Sequence, residues 1–235
     1  MLPLIYEFMG TALLILLGNG VVANVLLPHS KGAGGGWIVI TFGWAMGVFL
    51  GVYVSSGVSG GHLNPVVTLT MAYLGRISWS IVPGYLVAQL TGAFTGAIFT
   101  WLMYKKHFDK GTDPDAIRAI FCTGPAIRHY GWNFVSEAVA TFAFMLGVLF
   151  LASPEENMGS ISALPVSLLV LGMGLSLGGA TGYAINPARD LGPRIAHFLL
   201  PISGKSNSDW QYSWVPILGP VTGGTLATMV FHLLS

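Results

Sequence analysis

The chain has 235 residues, of which 53% are hydrophobic and only 8% are Asp, Glu, Lys or Arg, against roughly 25% charged in an ordinary soluble domain. Ten cationic and nine acidic side chains cannot cover a soluble protein of this length, so most of its surface faces lipid. A net charge of +1, with no basic run interleaved with aromatics, excludes nucleic acid as a partner, and the lone Cys122 can form neither an internal disulfide nor a multi-cysteine metal site.

Crossing the hydrocarbon core takes about 20 apolar residues, so the intervals between charges measure the spans. Residues 8–30 are uncharged and predict the first; without a basic leader, and with Glu7 in the apolar stretch, it is a retained helix and not a secretory signal. Between Lys31 and Arg76 lie 44 uncharged residues, too many for one helix. Residues 37–58 make the second span. The remainder, 62–74, is too short to cross and opens with Asn64-Pro65; proline favours the first turn of a helix, so a re-entrant half-helix starts there. Residues 77–104 predict the third span, 139–154 the fourth and 161–180 the fifth. Asn186-Pro187 then opens a second short segment ending near Leu200, whose Arg189, Asp190 and Arg194 disqualify it as a lipid-facing span. Residues 210–235 supply the last. The fold class is an all-α membrane protein, one domain with six transmembrane helices and two half-helices.

The two halves, 1–115 and 130–235, echo each other. GHLNP (61–65) matches GYAINP (182–187), and Glu7 with Thr11 matches Glu137 with Thr141. Three spans per half is an odd number, so the second copy enters from the opposite side and the half-helices dip in from opposite faces. Inverted repeats with broken helices at the midplane are how several transport proteins build a site. Each half-helix aims its unpaired N–H groups and positive dipole end at the bilayer centre, which disfavours cations there. Asn64 and Asn186 serve as N-caps and, compatibly, offer amide donors to a passing oxygen. The extended runs Gly60-Gly61-His62-Leu63 and Gly182-Tyr183-Ala184-Ile185 leave carbonyls free as a ladder of acceptors, with His62 either lining it or packed as a neutral ring. Glu7 and Glu137 read as a proton relay or as braces for these loops, and their duplication favours bracing. Arg189 stands in the first turn of a half-helix, where a cation is unfavourable, so something other than stability favours it; a structural salt bridge to Asp190 is the alternative. Glycines four apart, such as Gly43, Gly47 and Gly51 or Gly92 and Gly96, mark faces for close helix crossings.

SGGHLNPVVT (59–68) and TGYAINPARDLGP (181–193), three spans apart and each preceded by a glutamate, resemble the signature loops of the major intrinsic protein family, the aquaporins and glycerol facilitators. The resemblance runs from Tyr6 to the C-terminus. It implies an aquaporin-like right-handed bundle, a homotetramer with one pore per protomer, and a cell-membrane location with both termini cytoplasmic. It makes Asn64, Pro65 and Val66 and Asn186, Pro187 and Ala188 the paired motifs; the family commonly has alanine where Val66 stands, so the contact between the loops is expected to be reshaped. It makes Arg189 the donor of a narrow selectivity filter and, by offset from the asparagines, adds Trp44, Gly174 and Tyr183. Water-selective relatives carry histidine at the position of Gly174. Glycine leaves room, and Trp44 with Tyr183 forms an apolar corner opposite Arg189, a slot suited to a carbon chain with hydroxyls along one edge. Asp190 directly after Asn-Pro-Ala-Arg is a second mark of the glycerol-conducting branch, and it joins the two glutamates in bracing the loops. Tyr183 departs from the phenylalanine of the best-known bacterial glycerol facilitators, its hydroxyl narrowing or polarising the slot.

The function expected is a passive channel for small uncharged solutes, chiefly glycerol with water, excluding protons and ions, with no covalent chemistry, cofactor or metal. The alternatives are a water-preferring pore or a facilitator of urea, dihydroxyacetone or a protonated hydroxy acid. A coupled transporter would need a titratable group in the path, and only the two glutamates qualify. The cations Lys105, Lys106, Lys110, Arg118 and Arg128 between the third and fourth spans favour a cytoplasmic connection by the positive-inside rule, whereas the resemblance puts it outside.

Overall fold

The computed structural model describes residues 1–111, 113–151 and 161–234. Among them every regular element is helical. Five helices are long and apolar enough to cross a membrane: α1 (Leu2–Leu26), α2 (Gly36–Ser59), α4 (Val82–Met103, entered through a 3₁₀ turn, Trp79–Ile81), α7 (Tyr130–Leu151) and α10 (Val215–Leu234). Two shorter ones, α3 (Pro65–Tyr73) and α9 (Pro187–Leu199), are the half-helices, each opening on its Asn-Pro. The fifth expected span is α8 (Leu164–Leu177), apolar but only 14 residues long, or about 21 Å of rise; the chain from Gly178 to Thr181 continues it as a turn.

The span boundaries depart from expectation for one main reason. α1 starts at Leu2 and α7 at Tyr130 because Glu7 and Glu137 lie inside the helices, fully buried, and a ruler made of charges treats them as ends. The expected fourth span, 139–154, also runs past Leu151 into residues outside those described. Residues 210–214 form a turn ahead of α10. Two short helices in the connection between the halves were not anticipated, α5 (Lys105–Asp109) and α6 (Pro114–Phe121). The second is a capped amphipathic turn: Asp113 accepts from the Asp115 N–H, Pro114 fixes the first position, and Ile117, Ile120 and Phe121 at i, i+3 and i+4 are buried against α1 and α9.

α1 lies along α2 and α4, and α7 along α8 and α10. The crossings are close because glycine makes them so. A Cβ on Gly92 of α4 would fall 2.4 Å from the Phe8 carbonyl oxygen, and one on Gly223 of α10 would fall 2.1 Å from that of Ala138, the same contact in each half. α9 packs chiefly on α4 of the other half, and α3 rests on both α4 and α10. Phe42, Val87, Phe99, Leu168 and Leu226 cover the outside, an apolar exterior that water would not tolerate and lipid does.

Candidate functional site

Each half-helix is capped by its asparagine, and the two caps are tied together. Asn64 Oδ1 accepts from the Val66 N–H at 2.9 Å, and Asn186 Oδ1 from those of Ala188 and Arg189 at 3.0 and 3.2 Å. Asn64 Nδ2 donates to the Ile185 carbonyl at 2.9 Å while Asn186 Nδ2 donates to the Leu63 carbonyl at 2.8 Å. An amide nitrogen carries two hydrogens, so one on each asparagine is left for a passing oxygen. Capping and cavity lining are thus both built into the same side chain.

The loops ahead of the caps are strained and held. Leu63 and Ile185 have φ of 51° and 44°, and Tyr183 has 37°, a region that costs a bulky residue about 1–3 kcal/mol. Gly60, Gly61 and Gly182 take positive φ freely. Carboxylates offset the strain. Glu7 accepts from Ser59 Oγ (2.7 Å), the N–H groups of His62 (2.9 Å) and Leu63 (2.8 Å), and Gln89 Nε2 (2.8 Å). Glu137 accepts from Thr181 Oγ1 (2.6 Å) and the N–H groups of Ala184 (2.9 Å) and Ile185 (3.1 Å). The three loop donors to each carboxylate correspond residue by residue, so the duplication extends to individual hydrogen bonds. Glu7 takes four donors and Glu137 three, and both are sealed from solvent, a poor arrangement for a proton relay. His62 lies on the cavity wall with Nδ1 3.1 Å from Thr68 Oγ1 and its ring edge-on to Tyr85.

Trp44 does not stand opposite Arg189 as expected: the two meet directly, the guanidinium carbon 3.8 Å from the centre of the indole ring, because a cation at this depth gains from the ring face. Asp190 is not its partner. That carboxylate pairs with Arg194, one helical turn on, at 2.7 Å, and both are fully buried. Asp190 also accepts from the Thr123 N–H at 2.8 Å, while Arg194 donates to the carbonyls of Thr123, Ser208 and Asp209. This network anchors α9 to the connections on either side of α7 and α9. Arg189 makes no side-chain hydrogen bond to the protein among the described residues, which leaves its donors to the cavity.

Gly174 sits behind this pair. A Cβ there would lie 2.7 Å from Thr41 Cγ2 and 2.9 Å from both Cζ and the hydroxyl oxygen of Tyr183. The room left by glycine is therefore filled by the tyrosine ring and not by open pore. Its hydroxyl is buried without a partner among the described residues and faces Gly174, so it does not polarise the slot. Removing an orphaned hydroxyl stabilises a fold, and Tyr183→Phe is expected to raise the unfolding midpoint by the equivalent of about 1 kcal/mol, read by thermal unfolding in detergent.

A cavity of about 250 Å³ brings the candidates together: Trp44, Gly60, Gly61, His62, Leu63, Asn64, Tyr183, Ala184, Ile185, Asn186 and Arg189 all line it. Gly174, Gly182, Pro65, Val66, Pro187, Ala188 and the three carboxylates stand behind the wall. Unforeseen from sequence is its long apolar face, with Val48 and Val52 from α2, Val67 and Met71 from α3, Phe144 and Val148 from α7 and Val166 and Val170 from α8. Helical spacing carried the signal, since 44, 48 and 52, like 166, 170 and 174, lie one turn apart. Val66 is not between the loops; its Cγ1 lies against Gly224 of α10, and both Asn-to-carbonyl bonds form undisturbed.

Comparison with known proteins completes the picture. The family model described as "Major intrinsic protein" matches residues 3–231. The chain is 53% identical over 228 residues to a "Probable glycerol uptake facilitator protein" of Thermotoga maritima, covering 97% of each chain. It is 51% identical over 233 residues to "Glycerol uptake facilitator protein 3" of Lactiplantibacillus plantarum, covering 99% of this chain and 97% of the other. Among solved structures, the aquaglyceroporin from Plasmodium falciparum superposes with a TM-score of 0.86 at 29% identity, over 97% of this chain and 93% of that one.

Proposed function

As the chain belongs to the major intrinsic protein family, a family of multi-pass membrane channels and facilitators, we propose that it conducts small uncharged solutes passively, chiefly glycerol with water co-permeating. One observation carries the reading. The cavity pairs a guanidinium that has no protein acceptor among the described residues and two capping asparagines with a wall of valines and aromatics, which matches a solute with hydroxyls on one edge and carbon on the other. Trp44, Gly174, Tyr183 and Arg189 form the filter. The carbonyls of 60–63 and 183–185 line the path, with Gly182 behind it, while Glu7, Glu137 and Asp190 hold it in shape. Protons and cations are excluded by Arg189 and the facing dipole ends of α3 and α9. No step of covalent chemistry is needed, nor a cofactor.

The relatives named for glycerol uptake support the choice of solute. The repeats 1–115 and 130–235 enter the membrane in opposite senses, with both termini on the cytoplasmic side of the cell membrane and four protomers per assembly. The cations that argue against this sidedness are partly neutralised: Lys105 pairs with Asp109, Arg118 with Asp115 and Arg128 with Asp209. The hydrogen bonds from Arg128 to Asp209 hold its guanidinium above the ordinary arginine range.

Stopped-flow on proteoliposomes tests the reading with water, glycerol, urea, dihydroxyacetone and a protonated hydroxy acid side by side. Glycerol flux is expected to rise linearly with its gradient and to ignore an imposed proton gradient. Saturation at low concentration together with dependence on the proton gradient would identify a coupled transporter instead.

A further inference from the structure

Val66 and Gly224 form a knob and socket between the first half-helix and the last span. The position of a Cβ on Gly224 lies 2.1 Å from Val66 Cγ1, so any side chain at 224 must expel the valine. One turn further along both helices, Thr70 Oγ1 and Thr228 Oγ1 are 2.9 Å apart. The two contacts advance together by four residues, so α3 and α10 run parallel here and are in register. Beside them lies a cavity of about 200 Å³, walled by α3, α10 and Trp79. On its other flank α3 is held by α4, where Gln89 Nε2 donates to Thr68 Oγ1 at 2.8 Å, so on the α10 side with that gap the Val66 seat and the threonine pair set its position. The other half-helix is seated the opposite way round, with its own glycine, Gly192, meeting Ala93 of α4 at 2.6 Å from a Cβ position.

We propose that Gly224 is a positioning residue of the pore: by seating Val66 it sets where α3 begins, and so where the Asn64 amide stands in the solute path. Val66 is two residues beyond Asn64 and donates its N–H to that side chain. A valine in a helix is confined almost to one rotamer, so a methyl group at 224 is accommodated by moving α3 and not by turning the side chain. Pushed off α10, α3 carries Asn64 and the apolar pair Val67 and Met71 into the 250 Å³ cavity they line, which obstructs glycerol more than water. The solute named here rests on the channel reading; the seat itself rests on packing alone.

The test is a set of four purified proteins, the wild type, Gly224→Ala, Val66→Ala and the double variant, compared by thermal unfolding in detergent and by glycerol and water flux in liposomes. Gly224→Ala is expected to cut glycerol permeability about tenfold and to lower the glycerol-to-water ratio, as overpacking at a tight contact would. Adding Val66→Ala to it is expected to recover most of that loss, in flux ratio and in unfolding midpoint alike. Wild-type behaviour of Gly224→Ala, or a double variant no better than Gly224→Ala alone, would overturn the seat. If Gly224→Ala does not fold, a folded and conducting double variant supports the proposal, and an unfolded one overturns it. Absence of glycerol flux in the wild type would instead count against the channel reading, while non-additive unfolding midpoints still report on the seat.

Discussion

Replacement of Arg194 by methionine is expected to cost about 3–5 kcal/mol, the range found when one partner of a buried ion pair is removed. At roughly 2–4 °C per kcal/mol for a chain of this size, the unfolding midpoint in detergent falls by about 6–20 °C. The reason is the charge left behind. Asp190 is fully buried and takes two bonds from Arg194, at 2.7 and 2.8 Å, and without them its carboxylate keeps only Thr123 at membrane depth. Arg194 also carries the carbonyls of Thr123, Ser208 and Asp209, which lie in two separate connections. Removing the acid as well should recover stability, because two apolar residues in place of a buried pair are often neutral or better. The comparison of Arg194→Met with Asp190→Leu/Arg194→Met measures this directly. A single variant that melts with the wild type would show that the pair bears no load.

The second large effect is on conduction. Gly174→His is expected to lower glycerol permeability at least tenfold, a barrier of about 1.4 kcal/mol, and water permeability by less. The first carbon of the new side chain already collides with Thr41 and Tyr183, so the tyrosine ring is driven toward Arg189 and Trp44 before the imidazole itself is placed. Gly174→Ala separates the two contributions. It adds nothing to the lumen, so a partial loss of glycerol flux in that variant is the signature of a displaced Tyr183. Equal loss of water and glycerol in folded Gly174→His would remove Gly174 from the filter.

The pattern of success in reading the sequence follows the range of each signal. Asn-Pro is local: its cap and its proline act within one turn, so both half-helices begin where expected. The glutamate braces were legible because a duplicated carboxylate is an unusual thing to keep inside a span. The same carboxylates misled the charge ruler about where α1 and α7 start, since a buried, fully bonded glutamate does not end a helix. Asp190 shows a rule applied to the wrong neighbour. Side chains at i and i+1 point apart on a helix while those at i and i+4 meet, so Arg194 and not Arg189 was the partner to expect. Turn spacing from Trp44 and Gly174 pointed to the α2 and α8 parts of the apolar wall, but Val67, Met71, Phe144 and Val148 needed the rotation of α3 and α7 about their axes, which only the packed bundle sets. The seat of Val66 lies on a residue 158 positions away, and no local pattern announces a contact of that reach.

That distance recurs at the centre of the molecule. The carbonyl of Leu63 is satisfied by an asparagine 123 residues later in the chain, and the carbonyl of Ile185 by one 121 residues earlier. During synthesis the first loop therefore emerges with its strained backbone braced by Glu7 but its inner end unfinished, and it stays so until the second half has been threaded into the bilayer. Each loop is the template on which the other sets. A chain ending before Asn186 therefore has membrane helices but lacks both the donor to the Leu63 carbonyl and the second wall of the passage.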